Sequence, residues 1–110
     1  MIYSGKSAVV LGLGHSGEAA ALLLSEEGAS VTVCESLETP SLRERAAKLE
    51  AQGITVLFGA AADTDPTVYD VCILSPGIDP VVPLVQNVIA KRIPMIGELE
   101  LAYEECICPV

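Results

Sequence analysis

Six residues near the start of the chain, Gly12-Leu13-Gly14-His15-Ser16-Gly17, read G-x-G-x-x-G. They follow the apolar run Ser7–Leu11 directly and open a stretch of helical pattern, the context that gives this spacing a physical meaning. Gly12 permits a tight turn. Gly14 lets the backbone approach a diphosphate with no Cβ in the way, and Gly17 lets the helix pack closely on the strand. The N–H groups at the helix start, with its dipole, then hold negative charge. The competing reading is a glycine turn that serves packing alone. Glu35 ends the next β-type run, 18 residues after Gly17, where an acid accepts hydrogen bonds from ribose hydroxyls in dinucleotide sites. It would accept equally from another N–H or O–H of a nucleoside, or stand solvated at a strand end. The spacing marks the nucleoside side of a ligand without naming the base.

The remaining reactive residue types point to less. His15 is the only histidine. Base chemistry is open to it at its ordinary pKa, but no Ser/Asp or Cys partner pattern accompanies it, so a lining or backbone role is expected. Gly5-Lys6-Ser7 resembles the end of a phosphate-binding G-x-x-x-x-G-K-[ST] loop, but that pattern needs an earlier glycine and a preceding strand. Cys34 and Cys72 sit inside the apolar runs VTVCE and YDVCILS, places for small buried thiols. Cys106 and Cys108 form C-x-C, not a zinc spacing. Glu98, Glu100, Glu104 and Glu105 read as a solvated helix surface, and no metal site is expected.

These residues need elements to position them. Short β-branched runs alternate with longer helical stretches, without repeats or low-complexity segments. Strands are expected at Ser7–Leu11, Ser30–Glu35, 54–58, 69–74 and 93–96. Helices are expected at 16–28, about 40–52, 83–92 and 97–105, with Pro40 just inside one start and Gly53 just past its end. Residues 59–67 are small, polar and acidic, a loop with a helical turn. Glu26 and Glu27 are expected in solvent. The alternation predicts an α/β, Rossmann-like, doubly wound and mostly parallel five-stranded sheet with helices on both faces. The loops 12–17 and 75–77 then share the carboxyl edge of the strands, where such sheets bind ligands.

The chain has 110 residues, one domain's worth, with 51% hydrophobic residues, nine glycines and seven prolines, a composition that excludes disorder and fibre formation. Six Lys+Arg against fifteen Asp+Glu give a net charge of −9, so nucleic acid and anionic membrane are poor partners. No apolar run approaches the roughly 20 residues that span a bilayer, and the N-terminus lacks the features of a signal peptide. A cytoplasmic protein with reduced thiols is expected. Any anionic ligand must be held by loop N–H groups and a helix terminus rather than a basic patch.

The combination of VVLGLGHSG, CESLETP, ILSPGID and IPMIGELELAY resembles the N-terminal domain of the Mur ligases, from about residue 6 to residue 110. Within that family it is most similar to the branch that adds D-glutamate to UDP-N-acetylmuramoyl-L-alanine. The SPG after the fourth strand, followed about 20 residues later by GE-x-EL, is the more specific part. The resemblance implies a UDP-binding domain in a three-domain enzyme. It places His15, Ser16 and Gly17 at the diphosphate of the UDP-sugar, Glu35 and Ser36 at the uracil, and Ser75 and Gly77 near the diphosphate. Leu37 departs from the frequent Asp-Thr-Arg pattern and removes a cationic contact. The implied reaction is ATP-dependent: a carboxylate is phosphorylated, an amine attacks the acyl phosphate, and phosphate leaves. ATP and magnesium belong to the full-length enzyme, and these 110 residues are expected to form one domain that binds the UDP-sugar as a monomer without catalysing. The rivals are an NAD(H)-binding module of a dehydrogenase or nucleotide sensor, which the glycine loop and Glu35 would serve equally, and an interaction domain with an empty loop.

Overall fold

The computed structural model describes residues 5–64, 67–74 and 83–97, apart from the side chains of His15 and Ser16. The first strand, β1 (Ser7–Leu11), explains the architecture by itself. Ala8, Val9, Val10 and Leu11 are all at most 1% exposed, so both faces of the strand are covered and its pattern is continuous rather than alternating. Ala8 and Val10 join a core cluster on one face, while Val9 and Leu11 join a second cluster on the other.

Helices supply both covers. The helix α1 (His15–Glu26) follows β1, and α2 (Pro40–Glu50) follows β2 (Ser30–Glu35). Ala20, Ala21 and Leu24 of α1, with Ala46 and Leu49 of α2, fill the first cluster. Beyond β3 (Thr55–Phe58) comes the single turn α3 (Ala60–Asp63), and beyond β4 (Val71–Leu74) comes α4 (Pro83–Ala90), which leads to β5 (Met95–Gly97). Ala62 of α3 and Leu84, Val85 and Val88 of α4 fill the second cluster. Leu24 and Leu49 are at most 1% exposed, and burial of each such side chain contributes roughly 1.5–3 kcal/mol. Truncation of Leu24 would loosen α1, which packs on the loop-bearing strand.

The five strands form one parallel sheet in the order β3-β2-β1-β4-β5. The helix ends obey local chemistry. Thr39 Oγ1 accepts a hydrogen bond of 3.2 Å from the Leu42 N–H, and Pro40 stands at the first helical position of α2, where its missing N–H costs nothing. Gly28 takes a φ of +91° just after α1, a left-handed stop that glycine adopts without penalty.

Several boundaries differ from expectation for one shared reason. The apolar runs 54–58, 69–74 and 93–96 begin before their strands do, because Ile54, Tyr69 and Ile93 are buried without belonging to the ladder. Ile54 belongs to the first core cluster, and Tyr69 and Ile93 to the second. Their hydrophobicity reflects packing, which a run of apolar letters does not distinguish from strand pairing. Gly97, expected to open a helix, pairs with Leu74 as the end of β5, and the rest of the expected 97–105 helix lies outside the described residues. Glu27, expected in solvent, is 6% exposed. The helix α1 stops at Glu26, and Glu27 is the C-cap residue, its N–H turned onto the carbonyls of Leu23 and Leu24.

Candidate functional site

The strand order identifies where a ligand would sit. From β1 the chain winds to β2 and β3 on one side, then crosses to β4 and β5 on the other. Leu11 pairs with both Cys34 and Leu74, so the chain leaves β1 and β4 side by side at the carboxyl edge. That reversal is the topological switch point at which open α/β sheets bind their ligands. The glycine loop lies there. Ser75 and Gly77 follow Leu74 in the sequence but are outside the described residues.

Each glycine of the loop has its own geometry. Gly12 takes a φ of +99° while its N–H donates to the Cys34 carbonyl at 2.8 Å, so the turn begins while the residue is still in the ladder. A side chain disfavours that φ. A Cβ built on Gly17 would lie 2.0 Å from the Gly12 carbonyl oxygen, so α1 rests on the turn only because Gly17 has none. A Cβ on Gly14 would meet nothing within 4 Å. Gly14 is the N-cap residue of α1 and makes no side-chain cap, and its carbonyl receives the Glu18 N–H at 2.9 Å. The helix start thus presents backbone rather than a capping side chain. His15, Ser16 and Gly17 supply its first N–H groups, where a helix dipole favours an anion.

Glu35 stands beside this loop as the last residue of β2. Its Oε1 accepts the Leu13 N–H at 2.8 Å, and its Oε2 accepts the Leu37 N–H at 2.9 Å. The carboxylate therefore joins the glycine loop to the segment that follows β2. Ser36 is an exposed bend in that segment, and Leu37 is 65% exposed. A carboxylate oxygen has two lone pairs, so both oxygens of Glu35 keep capacity for a further donor.

A residue that motif reading passed over completes the arrangement. Arg45 of α2 donates from Nη1 to the Leu13 carbonyl at 3.0 Å, and its Nε lies 3.9 Å from Glu18 Oε1. A signal for it exists in the sequence: Arg43, Arg45 and Lys48, three of the six cationic residues, fall on the helix after Glu35. Arg43 is engaged elsewhere, paired with Glu38 and 4.9 Å from the centre of the Phe58 ring. The cation at the glycine loop is Arg45.

Other candidates have plain roles. Cys34 and Cys72 are free and buried, and burial pushes the Cys72 thiol up to about 12, which leaves it without the thiolate that reactivity requires. Cys106 and Cys108 lie outside the described residues. Among the described residues no three His, Cys, Asp or Glu side chains converge as ligands for a metal ion. The 110 residues contain no complete G-x-x-x-x-G-K-[ST] loop. No helix of the described residues is long and apolar enough to cross a membrane. An open hollow of about 590 Å³ lies at the opposite, amino edge, among Ser7, Ser30, Thr55 and Thr67. Among the described residues no charged side chain lines it, and it is remote from the switch point.

The sheet order and the strand–glycine loop–helix unit at its switch point define a Rossmann-like α/β domain. Residues 6–97 match the family described as Mur ligase MurD-like, N-terminal domain, and the chain belongs to that family. It is 41% identical over 110 residues to the UDP-N-acetylmuramoylalanine--D-glutamate ligase of Chlorobium chlorochromatii (strain CaD3), a match covering 98% of this chain and 22% of that protein. It is 44% identical over 94 residues to the ligase of the same name from Synechococcus sp. (strain JA-2-3B'a(2-13)), covering 86% and 19%. The chain thus spans about a fifth of the length of these curated relatives. Among solved structures, the UDP-N-acetylmuramate:L-alanyl-gamma-D-glutamyl-meso-diaminopimelate ligase from Neisseria meningitides aligns with a TM-score of 0.72. That alignment is 25% identical and covers 90% of this chain and 30% of the other.

Proposed function

We propose that this chain holds the UDP-linked part of UDP-N-acetylmuramoyl-L-alanine for a ligase that adds D-glutamate during synthesis of peptidoglycan precursors. The observation that carries this reading is Gly14: at the switch point of a MurD-like N-terminal domain, the space a Cβ would enter is open. The diphosphate rests on the N–H groups of His15, Ser16 and Gly17, with backbone closing in at Gly12 and Gly14. Glu35 and Ser36 serve the nucleoside, and the similarity to the Mur ligases assigns Ser75 and Gly77, in the sequence after β4, to the diphosphate. Amide donors and a helix terminus explain how a chain of net charge −9 holds an anion. The names of the two ligases above pair UDP-N-acetylmuramoylalanine with D-glutamate, which supports the choice of substrate. ATP and magnesium act in other parts of the ligase, so these 110 residues bind, as a monomer in the cytoplasm, without catalysing.

Calorimetric titration of the chain with UDP, UDP-N-acetylmuramoyl-L-alanine and NADH tests this reading. Heat from both uridine ligands and none from NADH is expected. Tight NADH binding with no response to the uridine ligands would replace it with a nicotinamide module, and silence from all three would leave an interaction domain.

A further inference from the structure

The glycine loop has a mechanical problem. Leu13 is flanked by Gly12 and Gly14, and glycine offers the least steric resistance to rotation of the peptide units on either side. The amides that would meet a diphosphate belong to these units and to the helix start that follows. A loop free to rotate would present them in many orientations, and ordering it on binding would reduce affinity.

Two charged side chains from distant parts of the sequence hold that unit. The Leu13 N–H is fixed by Glu35 Oε1 at 2.8 Å, across 22 residues, and the Leu13 carbonyl by Arg45 Nη1 at 3.0 Å, across 32 residues. In a trans peptide the carbonyl and the following N–H point in opposite directions, and none of the described peptides is cis. The bond from Arg45 therefore also sets the direction of the Gly14 N–H. Leu13 itself is fully buried, so its side chain is anchored by apolar packing with or without the clasp. What the two charges add is orientation of the two peptide planes on either side of it.

We infer that Glu35 and Arg45 are positioning residues of the glycine loop, which hold the two peptide units around Leu13 so that the Gly14 N–H keeps one orientation at the diphosphate seat. The inference rests on the UDP-binding reading for its functional consequence, but the clasp has a readout of its own. The second bond of Glu35, to the Leu37 N–H, gives a sharp test. Glutamine has one acceptor oxygen, and its NH2 is a donor. A glutamine at this position serves one of the two N–H groups and turns a donor toward the other.

The test compares the wild-type chain with Glu35→Gln, Arg45→Met and the double variant, by titration with UDP and with uridine and by amide hydrogen exchange at Leu13 and Leu37. Each single variant should bind UDP about tenfold more weakly, the scale of a lost hydrogen bond to a charged group. In Arg45→Met, uridine affinity should stay within about twofold, since a loop amide that is misdirected costs the diphosphate and not the nucleoside. Two changes that act on adjoining peptide units of one loop are non-additive, so the double variant should also lose about tenfold rather than a hundredfold. In Glu35→Gln, one of the Leu13 and Leu37 amides should exchange about tenfold faster while global unfolding is little changed.

Simple electrostatics predicts the opposite sign for Glu35→Gln, because removing a negative charge near the diphosphate should tighten UDP. Tighter or unchanged UDP binding in that variant would overturn the inference, as would equal losses for UDP and uridine in Arg45→Met or additive losses in the double variant. If the wild-type chain does not bind UDP, the functional reading fails, and Leu13 and Leu37 exchange alone decides the clasp: unchanged rates in Glu35→Gln would overturn it.

Discussion

The two edges of the sheet use the same hydrogen-bond chemistry with different consequences. At the amino edge, Asp70 Oδ2 accepts the Ser7 N–H at 2.8 Å and the Ser7 hydroxyl at 3.2 Å, and the Asp70 N–H reaches Ser7 Oγ at 3.1 Å. At the carboxyl edge, Glu35 accepts the N–H groups of Leu13 and Leu37. The amino-edge bonds duplicate a register that the backbone already sets, since the Asp70 N–H also donates to the Ser7 carbonyl at 2.9 Å and β1 pairs with β4 from Ala8 onward. The carboxyl-edge bonds fall on a loop between two glycines. A carboxylate beside a ladder reinforces a conformation; beside a glycine loop it selects one.

The largest effect expected from this contrast is at Gly17. The methyl group of Gly17→Ala would stand 2.0 Å from the Gly12 carbonyl oxygen, and backbone on backbone cannot yield cheaply. Urea denaturation should show a stability loss of about 3 kcal/mol, the upper part of the usual overpacking range. A loss below about 0.5 kcal/mol, the size of an ordinary surface change, would mean that the turn moves freely and the carboxyl edge is not held as described.

Next comes Gly14→Val, which separates the loop from the fold. Gly14 has a φ of −81° and a ψ of −175°, an extended conformation that valine adopts, and a Cβ there meets no atom within 4 Å. The denaturation midpoint should be nearly unchanged while the UDP signal disappears, because the side chain occupies the diphosphate's approach. Retained UDP affinity would place the ligand elsewhere.

The smallest effect belongs to the amino edge. The bonds from Ser7 hold the fully exposed Asp70 carboxyl below its ordinary 3.8. A group with a lowered native pKa binds fewer protons in the folded state than in the unfolded one, so its contribution is present above 3.8 and is lost as the pH falls through the native value. Thermal midpoints of the wild type and of Asp70→Asn, followed between about pH 2 and pH 5, should therefore converge as acid is added. A constant offset across that range would show that the Ser7 bonds do not depend on the charge.

Much of this architecture is legible in the sequence, and the parts that are not share a cause. The limits of β1 and β2, the Pro40 start of α2 and the Gly28 stop of α1 are visible because each rests on residues adjacent in the chain. The single turn in 59–67 is visible for the same reason. The starts of β3, β4 and β5 are not, because Ile54, Tyr69 and Ile93 are apolar through their place in the core, outside the ladder. Glu27 reads as a surface charge, yet the turn that ends α1 buries it. At the site, the pattern of Gly12, Gly14 and Gly17 marks the loop, and Glu35 marks its neighbour. Nothing in their spacing reveals that Glu35 accepts from the loop itself.

The sequence by itself determined the alternation of strands and helices, the doubly covered sheet and the strand–loop–helix unit that carries the glycines. Those features follow from periodicity and from the backbone freedom of single residues, both of which act over a few positions. Only the tertiary structure decided which side chains hold the loop. Arg45 reaches Leu13 because α2 packs beside α1 over Ala46 and Leu49, and Glu35 reaches it because β2 lies next to β1 in parallel register. A hydrogen bond depends on ångström-scale distances between elements, and packing sets those distances after the local pattern has been spent.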